Sequence, residues 1–524
     1  MKTCYLFLVI ITIASVSLFA LNHNVPADYQ TIQAALSASS TGDTVFVAPG
    51  IYQENINWPQ VDGIVLKSTG SMLNTIIDAN HNSRGIGFVG SSSNPVITSA
   101  TKVDGFTIKN GYSNLNGAGA ICYFASPEFY NCIIAYNECT QMGSGGGLYC
   151  YGASPHLNNV IIVYNKAYSG GGAHIDPTSS PVFNSCVIAD NTLISTGGSY
   201  AAGIYGRYEV YFQLNNCTIT RNNFNYAAAI HLGEVCIPTI QHSTITDNVY
   251  GIMVVHNGGI TLQNNNLVNN QYGGLWHYDT DSDVLNAQNN WWGAVSGPFH
   301  ETLNPLGEGD IILGSVTFSN WLQSPDPTSP LAPPLGVDIS NITNTSITIN
   351  WGNSPEPGFN HYVINYGLDS LAVIHPNNIA SSEAEYTLTN LSPNTYYSIQ
   401  IAAVSNSNVQ GWYSKQVTVR TAGGSAIQDM EASAPFISNS YPNPFAGNTR
   451  ISYNLKQPGL TSLNIYNLKG ELVSCLFKGR QAAGASDIIW NGRNSNNEAV
   501  GAGIYFARLA QNGKVNTMKL VLLK

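Results

Sequence analysis

One short motif recurs through the first three hundred residues, and it restricts the possible folds more than any other feature of the chain. The segments NCIIAYN, NVIIVYN, SCVIADN, NCTITRN and STITDN align on a central apolar residue. The aligned series is Ile108, Ile134, Ile162, Ile188, Ile219, Ile245 and Leu267, with successive spacings of 26, 28, 26, 31, 26 and 22 residues. Two positions earlier stand Phe106, Cys132, Val160, Cys186, Cys217, Ser243 and Asn265. Three positions later stand Asn137, Asn165, Asn191, Asn222, Asn248 and Asn270. A second strand signal follows each repeat after a Gly-rich bend, as in GAGAIC, GGGLYC, GGGAHI, AAAIHL and GGLWHY. Its alternate residues form another small or apolar column: Ala120, Leu148, Ala173, Ile204, Ile230, Ile252 and Leu275.

Alternation with period two over short segments means strands. No single unit is long enough to bury its own apolar face, whereas coils stacked about 4.8 Å apart bury a continuous core. The expected fold is all-β, with a right-handed parallel β-helix over residues 21–323. Asn columns suit the bends, because Asn tolerates left-handed backbone and its amide can bond the amides above and below. Cys122, Cys132, Cys150, Cys186 and Cys217 fall at inward positions, so buried thiols are expected rather than disulfides or a metal site. An open helix end invites edge pairing. Asp28 is the expected N-cap of a short covering helix whose apolar face is Ile32, Ala35 and Leu36.

Composition supports this reading. The chain of 524 residues contains 50 Gly and only 10% charged residues, which favours many turns and an all-β build. A net charge of -10, with no Lys/Arg cluster, argues against a nucleic-acid partner. Residues 1–20 read as a signal peptide: Lys2, an apolar run from Tyr5 to Phe19, then Ala20 at the cleavage position.

Beyond the repeats, residues 324–335 (SPDPTSPLAPPL) read as a semi-rigid linker. Alternating strands then fill 336–422, a second linker covers 423–440, and a small β-sandwich is expected over 441–524, with turns at Lys469-Gly470 and Asn512-Gly513.

Resemblances sharpen the picture. VPADYQTIQAAL and GDTVFVAPGIYQENI resemble the opening of pectin-lyase-like β-helix proteins, and Asn289-Asn290-Trp291-Trp292-Gly293 with the following SGP resembles their close. The GGA-type strands and the turn at Phe129 to Cys132 loosely resemble repeats of surface adhesins and autotransporter passengers. Trp351 and the segment Leu391 to Tyr397, with Tyr397 as its corner tyrosine, resemble a fibronectin type III domain, here read as a spacer. YPNPF, LNIYNLKGELV and the terminal MKLVLLK resemble the type A C-terminal sorting domain of the type IX secretion system. That likeness implies export across an outer membrane by the type IX machinery, to the medium or the cell surface.

Pectin-lyase-like proteins include polysaccharide lyases, hydrolases and esterases, and the fold alone does not select among them. The sequence has none of the NTD, DD and GHG set, the RxPxxR motif, or a QD with a DF/YIFG stretch. Three groups of residues remain as candidates. Asp190, Arg221 and Asp247 share a column on successive coils. There, two carboxylates about 9.6 Å apart are either an inverting glycosidase pair or a like-charge pair neutralised by the arginine. Asp176 is a further candidate acid. Asp279, Asp281 and Asp283 alternate as Ca²⁺ ligands do, or form a solvated acidic loop. No other cofactor is expected. The outward ladder Tyr149, His174, Tyr205, His231 and Trp276 offers aromatic faces with polar neighbours. It is read either as a site for extracellular polysaccharide or surface glycan, or as a stacking ladder that stiffens the coil. Two functions remain open for a monomeric exported protein: non-catalytic binding, and a carbohydrate-active enzyme.

Overall fold

The computed structural model describes residues 20–93, 97–194, 201–256, 259–278, 284–354, 356, 358–423, 436–455, 458–511 and 514–523. The expected signal segment, the middle of the second linker, the Asn512-Gly513 turn and the three acids Asp279, Asp281 and Asp283 lie outside the described residues. The chain divides into two compact units, one of Met1–Asn341, Ile347–Leu388 and Tyr397–Val417, the other of Ile342–Ser346, Thr389–Tyr396 and Thr418–Lys524.

In the first unit the repeats build three long parallel sheets of ten, eleven and nine strands. The central Ile of each repeat lies in the nine-stranded sheet. Ile108, Ile134, Ile162, Ile188, Ile219, Ile245 and Leu267 are register partners in turn and are fully buried. The Gly-rich segments form the eleven-stranded sheet, where Ala120, Leu148, Ala173, Ile204, Ile230, Ile252 and Leu275 are likewise partners. Both columns face one continuous core, as the period-two reading requires.

The Asn column is a buried hydrogen-bond ladder. Each amide donates to the oxygen on the next coil: Asn137 to Asn165 at 2.9 Å, Asn165 to Asn191 at 3.1 Å, Asn191 to Asn222 at 2.9 Å and Asn248 to Asn270 at 3.1 Å. Between Asn222 and Asn248 the backbone N–H makes the link instead. The left-handed residue at this bend is not the ladder Asn but the one before it, as at Tyr136, Tyr164, Asp190, Arg221 and Asp247. The ladder Asn turns its amide inward, and its predecessor absorbs the positive φ. A second ladder ends in the Trp-rich close: Asn265 donates to Asn290 at 3.0 Å, and Trp292 is fully buried at the end of the core.

Cys122, Cys132, Cys150, Cys186 and Cys217 are free and buried, as are Cys139 and Cys236, whereas Cys475 is exposed. Burial pushes the Cys132 thiol up to about 12. At the first end of the coil a helix covers Ile32–Ala38 and buries Ile32, Ala35 and Leu36. Its N-cap is Thr31, whose hydroxyl accepts from the Ala34 N–H, and not Asp28. Asp28 is occupied by Asn24, accepting from both its backbone and side-chain nitrogens at 2.9 and 2.7 Å.

Two segments pack against the outside of the nine-stranded sheet. Residues 324–335, expected as a linker, are pinned there. Asp326 N–H donates to Asn266 Oδ1 at 2.8 Å, Asn216 Nδ2 donates to Thr328 O at 2.9 Å, and the Thr244 hydroxyl donates to Pro330 O. The outward Thr and Asn of these coils satisfy peptide groups of a segment whose prolines rule out a ladder of its own. On earlier coils the outward residues are apolar. Ile133, Ile161 and Ala189 form one buried cluster with Val373, Trp412 and Tyr413. The strands Phe359–Gly367, Asn377–Ser381 and Tyr396–Ser405 pair antiparallel in this module, and Trp351 is buried edge-on against Tyr362. The module read as a spacer is thus docked on the coil.

In the second unit, residues 436–522 form antiparallel sheets of three and four strands around Trp490, Phe445, Leu463, Ile465, Leu509 and Leu520. Gly470, at φ 81°, turns the hairpin between Gly459–Asn467 and Leu472–Gln481, as expected.

Candidate functional site

The Gly-rich strands place the outward ladder. Tyr149, His174, Tyr205, His231, Met253 and Trp276 are register partners on successive coils, alternating with the core column. They point away from the core, yet Tyr149, His174, Tyr205 and His231 are only 4 to 8% exposed. Trp276 alone of the five predicted ligand residues is partly open. Ring centroids along the buried part lie 5.5, 5.0 and 5.2 Å apart.

Polar groups are tied into this stack. Tyr149 Oη donates to Asp176 Oδ2 at 2.6 Å, and His174 Nε2 lies 3.3 Å from Asp176 Oδ1. Ser169 Oγ and His174 Nδ1 share a hydrogen bond of 2.8 Å, and Arg207 Nε is 3.6 Å from the same carboxylate. Burial works to raise the Asp176 carboxyl. The bonds from His174 and Tyr149 and the Arg207 charge outweigh it and hold the group below its ordinary range. Burial, then the bond to Asp176, pushes the Tyr149 phenol up. Asp176 is therefore an ionised partner inside a closed network.

At the other bend, Arg221 commits to one acid. Its Nε and Nη2 donate to the two oxygens of Asp190 at 2.9 and 2.8 Å, a bidentate pair. Asp247, on the next coil, is pushed up to about 6 by burial, partly offset by the Arg221 charge. The arginine does not bridge the acids evenly, and the two carboxyls differ in environment. Among the described residues, no group of three or more His, Cys, Asp or Glu is placed to hold a metal ion.

One group of partly to fully exposed aromatic residues lies at the later coils, beyond the buried part of the ladder. Tyr226, Tyr250, Tyr272, Trp276 and Tyr278 gather at the later coils, and Tyr226, Tyr272 and Tyr278 are 71, 40 and 60% exposed. Three of them stand at or just before the start of a strand, in NYAAA, VYGIM and QYGGL. That recurring Tyr was the available signal. A reading confined to alternation within the strand passes over it.

Family models match as a right-handed beta helix region over residues 50–267, a fibronectin type III domain over 332–420 and a FlgD Ig-like domain over 438–514. Protein sidekick-1 of Mus musculus is 32% identical over 168 residues, 29% of this chain and 7% of that protein. The chain thus spans a small fraction of that relative's length. Among solved structures, the FN5 domain of Drosophila Lar is 27% identical, with 18% of this chain and 99% of that one covered and a TM-score of 0.16. The fn3 domain of human contactin 1 is 25% identical, covering 19% of this chain and 86% of that one, with a TM-score of 0.17. The β-helix and fibronectin type III regions are domain types typical of extracellular and cell-surface proteins. The chain carries, in order, a right-handed β-helix region, a fibronectin type III domain and a domain similar to the FlgD Ig-like domain.

Proposed function

We propose that this is an exported surface protein that binds extracellular polysaccharide without cleaving it, on the outer side of its Gly-rich sheet. The observation that carries the reading is the contrast between acids and rings. Asp176 and Asp190 are held by internal partners, while Trp276 and the tyrosines around it present open faces. Amphipathic aromatic surface suits sugar rings. Residues 441–524 supply the address, read by a type IX export system, and the mature chain acts as a monomer outside the cell.

The test uses the mature chain, because the fibronectin module covers an apolar strip of the coil. It should be retarded in native gels containing a soluble polysaccharide, with no release of reducing ends or unsaturated products. Trp276→Ala should weaken retention about tenfold, as loss of a central aromatic contact does. Failure to bind any of a broad panel of polymers would sink the reading. A second reading, an enzyme, is favoured by one observation: the two carboxyls differ in environment, Asp190 in a bidentate pair with Arg221 and Asp247 raised by burial, as an acid of a catalytic pair would be. Polymer cleavage abolished by Asp247→Asn would establish it.

A further inference from the structure

The exposed rings at the later coils form one connected run. Tyr226 and Tyr272 lie 5.9 Å apart between centroids at 31°, and Tyr272 and Tyr250 lie 5.6 Å apart at 42°. Tyr250 and Trp276 are 5.2 Å apart at 38°, and Trp276 and Tyr278 are 5.2 Å apart at 70°. The parts come from three consecutive coils. Tyr226 precedes the strand Ala228–Leu232, Tyr250 opens Tyr250–Val254, and Tyr272 and Trp276 precede and occupy Gly273–His277. The register Ala228↔Tyr250↔Gly273 brings their starts together.

The chemistry of the run is uniform. Four of its members are phenols and one is an indole; none is aliphatic and none is charged. Such a surface offers flat apolar faces fringed by hydroxyl and N–H groups, which matches a sugar ring with C–H groups on its face and hydroxyls at its edge. It offers no charge to pair with a uronate or a sulfate. An aliphatic partner surface would be expected to meet aliphatic side chains, and these are missing from the run. Neighbouring ring centroids lie 5.2 to 5.9 Å apart, so one oligosaccharide can touch several at once.

We infer that Tyr226, Tyr250, Tyr272, Trp276 and Tyr278 form a platform for an uncharged polysaccharide. This rests on the polysaccharide-binding reading above and narrows it to one site and one ligand class. Tyr226 and Tyr278 are the most open members and should contact ligand directly. Tyr250 and Trp276 are half-buried and join these open rings through ring contacts.

The test is affinity electrophoresis of the mature chain in hydroxyethylcellulose, in a neutral linear β-glucan and in alginate. The expected result is retardation by one or both neutral polymers, unchanged at about 1 M salt, where exposed charge pairs are screened. Tyr272→Ala and Tyr226→Ala should each weaken it about tenfold, and the double variant should abolish it. Tyr278→Ala, at the far end of the run, provides a further variant should either of these lose its fold by circular dichroism. Retention by alginate alone, or retention that salt abolishes, overturns the uncharged-ligand inference. So does neutral-polymer binding that the double variant leaves within about twofold. A wild-type dimer converted to monomer by Tyr226→Ala would reassign the surface as a contact between copies. Absence of binding to every polymer instead refutes the broader polysaccharide reading.

Discussion

Asp310 ends the buried amide column, accepting from Asn270 Nδ2 at 2.7 Å and from its backbone N–H. The amides in line above it donate toward this carboxylate, a favourable arrangement for an anion, yet burial pushes the group up to about 6. Asp247 is pushed to about 6 as well, and its charge adds to the rise at Asp310. Both folded values exceed the ordinary 3.8. The stability these groups contribute is therefore complete below about pH 4 and is lost as pH rises through 6. Asp176 and Asp43, held low, contribute in the opposite sense, and theirs is lost only as pH falls below about 4. Thermal unfolding should accordingly show stability declining between about pH 4 and 6.5. Asp247→Asn should flatten that decline by about 2 kcal/mol. An unchanged slope would mean that Asp247 ionises freely in the folded chain. Little of this was legible beforehand. The Asn column is plain in the sequence, but Asp310 lies outside the repeat and reaches the column only through the fold. Likewise Asp28 is a competent cap on paper, but in the fold it accepts from Asn24 and Thr31 caps the helix.

Elements were legible wherever the pattern repeats, because burial on one side imposes the same residue class at the same position of every coil. The pattern says less about the outer side. Period two identified Tyr149, His174, Tyr205 and His231 as outward, but it carries no information on what lies above them, and these side chains are buried. The docking of the fibronectin module did leave a trace. IIA, IIV and VIA are apolar on both faces, whereas the later TIT, TIT and NLV segments are mostly polar outside. Strands apolar on both faces are strands covered on both faces. The division matches what packs there: Val373, Trp412 and Tyr413 over the apolar coils, the Pro-rich segment over the polar ones. Tyr136 Oη adds a hydrogen bond to Leu371 O at 2.8 Å. The coil and the module should consequently unfold together. Trp412→Ala, which removes a buried aromatic from this cluster, should cost about 3 kcal/mol and split a single calorimetric transition into two. A chain ending at residue 323 should bare Ile133 and Ile161 and self-associate. A monomeric, fully stable 21–323 fragment would show that the docking contributes nothing.

At the scale of the whole molecule, the open question is whether residues 441–524 serve folding or delivery. Their core is their own: Trp490, Phe445, Leu463, Ile465 and Leu509 pack with one another. A domain that closes its own core could in principle fold alone. Within the repeats, the Ile32–Ala38 helix buries its apolar face at one end of the coil, and Trp292 is fully buried toward the other. The role proposed for residues 441–524 is delivery, and that is separable by experiment. In the native host, the chain truncated after residue 440 should accumulate in the periplasm, with the β-helix melting at its normal temperature. Fusing 441–524 to an unrelated periplasmic protein should carry that protein to the medium or the cell surface. Truncated protein found outside the cell at normal levels would refute the assignment. Truncated protein that is unfolded or degraded in the periplasm would show instead that the domain is needed for the stability of the coil. Secretion of the fusion partner, together with a folded and trapped passenger, is the combination that an address domain requires and that a folding aid does not produce.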